Sequence, residues 1–148
     1  MTLRIPPAAG REIHDHLLGA YPEEGCGVLI GRESDSAREV ERVVRCENRR
    51  PDGRGNRYLI APEQFLAADR EARASGLEVL GFFHSHPDHP AEPSAFDLEH
   101  AWPYYSYLIV SVSGGAVVGQ RCWRLRDDRS RFESESVEDA PGPASAGV

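Results

Sequence analysis

Residues Gly81 to Asp97 read G-F-F-H-S-H-P-D-H-P-A-E-P-S-A-F-D, and the rest of the chain is best taken outward from them. An apolar run (Leu77, Val79, Leu80, Phe82, Phe83) ends in His84 and His86. Side chains alternate along a strand with period two, so a strand continuing through both histidines turns both imidazoles to one face. The window that follows is too polar and too rich in proline for core, and it adds Ser94 and Asp97. Zinc is held by imidazole nitrogen at ~2.0–2.1 Å and by carboxylate oxygen at ~2.0–2.2 Å, and a catalytic site uses three protein ligands with one position left open. His84, His86 and Asp97 supply such a set.

Before this stretch, Leu3 to Ile5 reads as a short strand ended by Pro6 and Pro7. Ala9, Ile13, Leu17 and Ala20 recur at helical spacing and predict an amphipathic helix over Ala8 to Ala20, broken by Tyr21-Pro22. His14 and His16 fall on its polar side. Cys26 to Gly31 reads as a buried strand, with Glu39 to Cys46 as its hairpin partner. Asn48 to Asn56 (N-R-R-P-D-G-R-G-N) is dense in turn residues and predicts an exposed, mobile loop, a candidate flap facing a substrate. Beyond Tyr58-Leu59-Ile60, Pro62 suits a helix start, and Phe65, Leu66, Ala68 and Ala72 with a stop at Gly76 describe a second helix.

After the central stretch, a third helix starts near Ser94 and is closed by Pro103. Tyr107 to Val112 and Ala116 to Leu125 flank Ser113-Gly114-Gly115, a hairpin signal. From Glu133 onward apolar content collapses, which predicts a domain over residues 1–132 and a disordered tail over 133–148.

A chain of 148 residues is one domain's worth and buries enough surface to need no staple, so a metal here is functional rather than structural. With 17 basic and 24 acidic residues the net charge is −7, which lacks the basic footprint of a nucleic-acid binder. Local arginine clusters, at Arg49, Arg50, Arg54 and Arg57 and from Arg121 to Arg131, read as solvated faces. Cys26, Cys46 and Cys122 are too few and too dispersed for a disulfide framework or a four-cysteine zinc site, and they fit a reducing cytosol. No signal-peptide pattern opens the sequence and no apolar run approaches the roughly 20 residues of a membrane span, so a cytoplasmic protein without a membrane partner is expected.

Each piece of the motif has a plain structural reading when taken alone. Ser94-x-x-Asp97 is a capping box in outline, and an H-x-H pair in a loop is usually surface. Together, His-x-His-Pro, seven residues, Ser, two residues and Asp form a specific composite. It resembles the JAMM (MPN-plus) metalloprotease family, whose motif is an upstream Glu followed by H-x-H-x7-S-x2-D. Glu24, Gly27 and Gly31 fit the family's E-x-x-G-x-x-x-G, and Pro22, Glu24, Cys26 and Gly27 reproduce the P-x-E-x-C-G form of bacterial stand-alone members. The resemblance covers roughly Leu3 to Leu125.

That resemblance implies a single α+β domain with a mixed β-sheet flanked by helices, related in shape to cytidine deaminases. It implies Zn2+ on His84, His86 and Asp97, with Glu24 as the carboxylate that moves protons and Ser94 as the donor to the oxyanion. The implied activity is hydrolysis of an amide bond, peptide or isopeptide, at the C-terminal Gly-Gly of a ubiquitin-like protein. For the stand-alone form the expected partners are sulfur carriers of the ThiS or MoaD type. An acidic carrier would meet the loop Arg49 to Arg57.

Two other functional readings stand beside it: a non-catalytic MPN-type binding module, and a RadC-like protein, whose signature is similar but whose extra helical region is not evident here. Asp88, His89, Glu92 and His100 can also bind metals, yet none sits at a family ligand position. Cys26 offers a rival nucleophile with His84 or His86 as base, although its place in an apolar run suits a small buried side chain.

Overall fold

In the computed structural model, which describes residues 1–139, seven strands and three helices alternate along the chain. β1 (Thr2–Ile5), α1 (Pro7–Ala20), the hairpin β2 (Cys26–Glu33) and β3 (Ala37–Cys46), and α2 (Pro62–Ala74) come first. β4 (Glu78–Pro87), α3 (Ala95–His100), the hairpin β5 (Ser106–Ser113) and β6 (Ala116–Leu125), and β7 (Phe132–Asp139) complete it. The α+β class with a mixed sheet is as expected, and the sheet closes on itself in the order β1-β3-β2-β4-β5-β6-β7, with β7 returning to β1. β1 runs parallel to both β3 and β7, and β4 parallel to β5, while the remaining neighbours are antiparallel.

The sheet has one apolar cluster on each face. Ala9, Ile13 and Leu17 of α1, spaced four apart, are buried against Leu29, Leu80, Phe83 and Leu108. Ala68 and Ala72 of α2 pack on the other face with Cys26, Val28, Phe82 and Tyr107. Pro62 opens α2 as expected, and Gln64 reaches back so that its Oε1 accepts from the Ala61 N–H at 2.7 Å. No helix among the described residues is long and apolar enough to cross a membrane.

Two features of β4 decide where the histidines point. The β2/β4 register runs Leu29 to Gly81 and then Ile30 to Val79, so Leu80 is an extra residue and the alternation of faces slips by one. Val79 and Phe82 therefore share the α2 face while Leu80 and Phe83 share the α1 face, and His84 and His86 continue the line of Phe82. Gly81 sits where a Cβ would lie 1.9 Å from the Ser106 carbonyl oxygen, so no larger residue fits this close approach of β4 to β5. The second feature is the parallel pairing of β4 with β5. Parallel neighbours require a crossover, and residues 88–105, with α3 in their midst, provide it. The chain leaving the histidines must therefore pass back over the end of β4, and it carries Ser94 and Asp97 as it goes.

One expectation needs correction. Residues Phe132–Asp139 form β7 and pair with both β6 and β1, so the ordered domain does not stop at 132 and the first part of the predicted tail is the strand that closes the barrel. Its low apolar content misled because a closing strand buries one face only. Val137 packs on the core, and the Glu135 carboxylate accepts from Ser106 Oγ at 2.8 Å and meets Arg124 at 3.6 Å. Residues 140–148 lie outside the described part of the chain.

Candidate metal centre

His84, His86 and Asp97 are all buried and bring their donor atoms within 4.8 Å of one another. The two Nε2 atoms are 3.3 Å apart, Asp97 Oδ2 is 3.0 Å from His86 Nε2, and Asp97 Oδ1 is 3.3 Å from His84 Nε2. Tetrahedral bonds of ~2.0–2.1 Å place donors about 3.3 Å from one another, so the spacing fits one small divalent ion. The tautomer agrees. His86 Nδ1 donates to the Pro90 carbonyl at 2.9 Å, which leaves the Nε2 lone pair of a neutral ring facing a carboxylate oxygen. With that ring neutral, two acceptors face one another in a buried pocket and a cation belongs between them: a proton on Nε2, which makes the His86–Asp97 hydrogen bond, or a divalent ion in its place.

The α3 cap sets the carboxylate. Ser94 is the N-cap: its Oγ accepts from the Asp97 N–H at 3.0 Å, while Asp97 Oδ2 accepts from the Ser94 N–H at 2.9 Å. The capping box thus orients the same oxygen that faces His86, so the structural and functional readings of Ser-x-x-Asp coincide. Capping occupies a lone pair of the exposed Ser94 hydroxyl and leaves its O–H free to donate.

Glu24 arrives by strand pairing. Cys26 lies opposite His84, and the next residues are tied in the same register, with Ser85 N–H donating to Gly25 O at 3.1 Å and Gly25 N–H donating to Ser85 Oγ at 2.9 Å. Two residues further along that face, Glu24 is 4% exposed and its Oε1 has no hydrogen-bond partner among the described residues. Burial pushes its carboxyl from the usual 4.5 up to about 7, against the pull of His84 and His86 and with the Asp97 charge adding to the rise. Asp97 also feels burial, yet the His84 charge and the hydrogen bonds from His84, His86 and the Ser94 amide hold it well below the usual carboxylate range. Burial lowers the His86 pKa, but the Asp97 hydrogen bond, the Pro90 carbonyl and the charges of Asp97 and Glu24 raise it overall. The four groups form one electrostatic unit.

The chain matches the family described as prokaryotic homologs of the JAB domain over residues 6–126. It belongs to that family. Among its relatives, a probable TtuB-protein conjugate cleaving protease of Thermus thermophilus is 36% identical over 114 residues, covering 77% of this chain and 73% of the relative. A desampylase of Pyrococcus furiosus is 38% identical over 115 residues, covering 76% of each chain. A Desulfitobacterium hafniense protein solved in solution superposes with a TM-score of 0.81 at 32% identity, covering 93% of this chain and 92% of that one. A JAB1/MPN domain protein from Archaeoglobus fulgidus, at 16% identity and a TM-score of 0.54, shares the fold. As a member of the JAB family with the whole motif in place, the chain is a JAMM-type protease.

The other metal-capable side chains of this JAB-family chain stay apart from the centre. Asp88 accepts from Tyr21 and Ser113, Glu92 lies 3.6 Å from Arg121, His100 stacks on Phe96, and His89 is exposed. Cys26 is fully buried, and burial pushes its thiol far up, which removes it as a nucleophile. His14 and His16 depart from the expected polar face. His14 meets Gln120 at 2.9 Å, and His16 Nε2 donates to the carbonyls of both Cys26 and Cys46, pinning the hairpin ends to α1.

Sequence reasoning missed Tyr58, whose ring stacks on His84 with centroids 4.4 Å apart and planes at 22°, bracing the imidazole. Nothing local in Tyr58-Leu59-Ile60 announces this contact. A cavity of about 760 Å³ opens beside Asp97, lined by Tyr58, Phe65, Phe82, Phe96 and Trp102 with Arg50 and Arg129 among its other residues.

Proposed function

We propose that the protein is a zinc-dependent peptidase or isopeptidase that hydrolyses the amide bond at the C-terminal Gly-Gly of a ubiquitin-like or sulfur-carrier protein. The observation that carries the reading is a buried carboxylate without a partner beside three donors spaced for one divalent ion. His84, His86 and Asp97 would hold the ion. Zinc, when bound, polarises the scissile carbonyl and lowers the pKa of a water to about 7.

The rest falls to the chain's own residues. The unpartnered Oε1 of Glu24 takes the proton of the attacking water and returns it to the leaving amine, for which a carboxyl with a pKa near neutrality is suited. The Ser94 O–H donates to the oxyanion of the tetrahedral intermediate. Tyr58 and the side chains around Glu24 exclude bulk water. The substrate class follows the relatives named for cleaving protein conjugates, and a Gly-Gly tail suits a reacting centre as enclosed as this one.

The test is cleavage of a carrier protein fused through its Gly-Gly tail to a reporter. Activity is expected with zinc, none with chelator, and a fall of about 10²–10⁴-fold in Glu24→Gln with its zinc retained. Full activity in Glu24→Gln would leave this mechanism without its proton carrier.

A further inference from the structure

The carboxylate of Glu24 has to be held still, and β2 does not do it, because the strand begins at Cys26. The sheet reaches only the far side of the next peptide group, where the Gly25 N–H donates to Ser85 Oγ of β4; both backbone polar atoms of Glu24 itself are held from outside the sheet. The Glu24 N–H donates to Arg54 O at 2.7 Å, and the Glu24 carbonyl accepts from Asn48 Nδ2 at 2.9 Å. Both partners belong to the arginine-rich segment that the sequence presents as a mobile flap.

Asn48 spends its full hydrogen-bonding capacity there. Its amide also donates to Arg57 O at 3.0 Å, and its Oδ1 accepts from the N–H groups of Arg50 and Leu59, each at 3.1 Å. Two donors and two acceptor positions are all an Asn side chain has. One side chain thereby closes a turn-rich loop that has no ladder of its own and ties it to the backbone of Glu24. The far side of the loop is fastened too. The guanidinium groups of Arg50 and Arg57 lie 5.3 and 5.5 Å from the centre of the Phe96 ring, next to Asp97 in sequence, and Tyr58 stacks on His84. The segment crosses the centre as a strap, with Asn48 as its buckle.

We propose that Asn48 is a positioning residue for Glu24, fixing the direction in which the unpartnered carboxylate points. The inference rests on the protease reading above. It places on one amide a requirement that the motif itself does not contain, since neither Glu24-x-x-Gly27 nor His-x-His specifies what holds the residue before the strand. Misplacing a reacting group by about 1 Å costs on the order of 10²-fold in rate, so the loss falls on turnover rather than on substrate affinity.

The discriminating variant is Asn48→Asp, which keeps acceptors for the Arg50 and Leu59 amides while losing the donors to Glu24 O and Arg57 O. On the zinc-loaded enzyme with the carrier fusion, kcat is expected to fall at least about tenfold with KM within about twofold of wild type. Zinc content stays at the wild-type level. Amide exchange at Glu24 N–H speeds up, while exchange at Phe83 and Leu108 in the core does not. Unchanged kcat overturns the proposal, whatever the exchange shows. Loss of protection throughout the core also overturns it, because Asn48 would then hold the fold rather than one residue. Glu24→Gln measured alongside separates the two levels: if it is inactive and Asn48→Asp is fully active, only the positioning role fails, whereas an active Glu24→Gln removes the protease mechanism itself.

Discussion

Two buried polar clusters among the described residues of the barrel differ in one respect. Around Arg38, which is 0% exposed, every polar atom is answered: Nε donates to Glu33 at 2.9 Å, Nη1 to Leu80 O at 3.1 Å and Ser106 Oγ at 2.9 Å, and Nη2 to the Tyr104 carbonyl. Ser106 passes the network on to Glu135 of β7. Around His84, Glu24 Oε1 and His84 Nδ1 are buried without partners among the described residues, and both imidazoles converge on the Asp97 carboxylate. Buried polar groups are nearly always satisfied, so a cluster that leaves two atoms open is built for something that arrives from outside. The first cluster ties strands together; the second groups three donors that could hold a metal ion.

Replacing Arg38 should show the largest effect on stability and none on chemistry. Arg38→Met leaves the buried Leu80 and partly buried Tyr104 carbonyls without their donor while water takes over at the exposed Glu33, and a loss of about 1–3 kcal/mol per carbonyl left unpaired is expected in urea unfolding, with kcat per folded molecule unchanged. A fall in kcat at full folding would erase the distinction between the clusters.

Ser94 belongs to both worlds and can be split. Ser94→Asp keeps an N-cap acceptor for the Asp97 amide, so the melting temperature should hold, yet it removes the hydroxyl donor. A cost of about 2.7–4 kcal/mol in kcat/KM is expected, as for other single oxyanion donors. Retained activity would make Ser94 a cap alone.

The pH dependence of the chelator-treated protein sharpens the contrast further. Glu24 in the folded chain titrates at about 7 rather than 4.5, so the native state keeps its proton longer than the unfolded chain does. Stability is then fully present below pH 4.5 and declines as pH rises toward 7, by on the order of 3 kcal/mol. His86, also raised, adds a decline of the same sign from 6.5 upward. Unfolding followed from pH 4.5 to 8 should lose most of the slope below 6.5 in Glu24→Gln, and an identical slope in the variant would place the titration elsewhere.

Much of the fold could be read from local pattern. The Ala9, Ile13, Leu17 stripe gave α1, the Ser113-Gly114-Gly115 turn gave the β5/β6 hairpin, and the period-two pair His84 and His86 lay on a strand that runs to Pro87. The residues drawn together at the centre were legible as a composite motif that resembles the JAMM family, and the structure shows how two of them reach the histidines: Ser94 and Asp97 are one helical turn apart and a parallel crossover returns them over β4. What escaped depends on partners far away in sequence. β7 reads as polar tail because its order comes from pairing with β1, more than 130 residues away. Arg38 looks like one surface arginine among many until Ser106 and Tyr104 close over it. Asn48 and Tyr58 sit at the ends of a loop whose turn residues suggested mobility, and only the tertiary contact with Glu24 and His84 shows that it is fastened.

The central claim is that two imidazoles and one carboxylate converge on a divalent ion. Zinc X-ray absorption on the loaded protein tests it directly: one zinc per chain, with nitrogen and oxygen scatterers at ~2.0–2.1 Å and the signal lost in His84→Ala, is the expected result. A sulfur scatterer at ~2.3 Å, or no stoichiometric zinc in the wild-type protein, would contradict it.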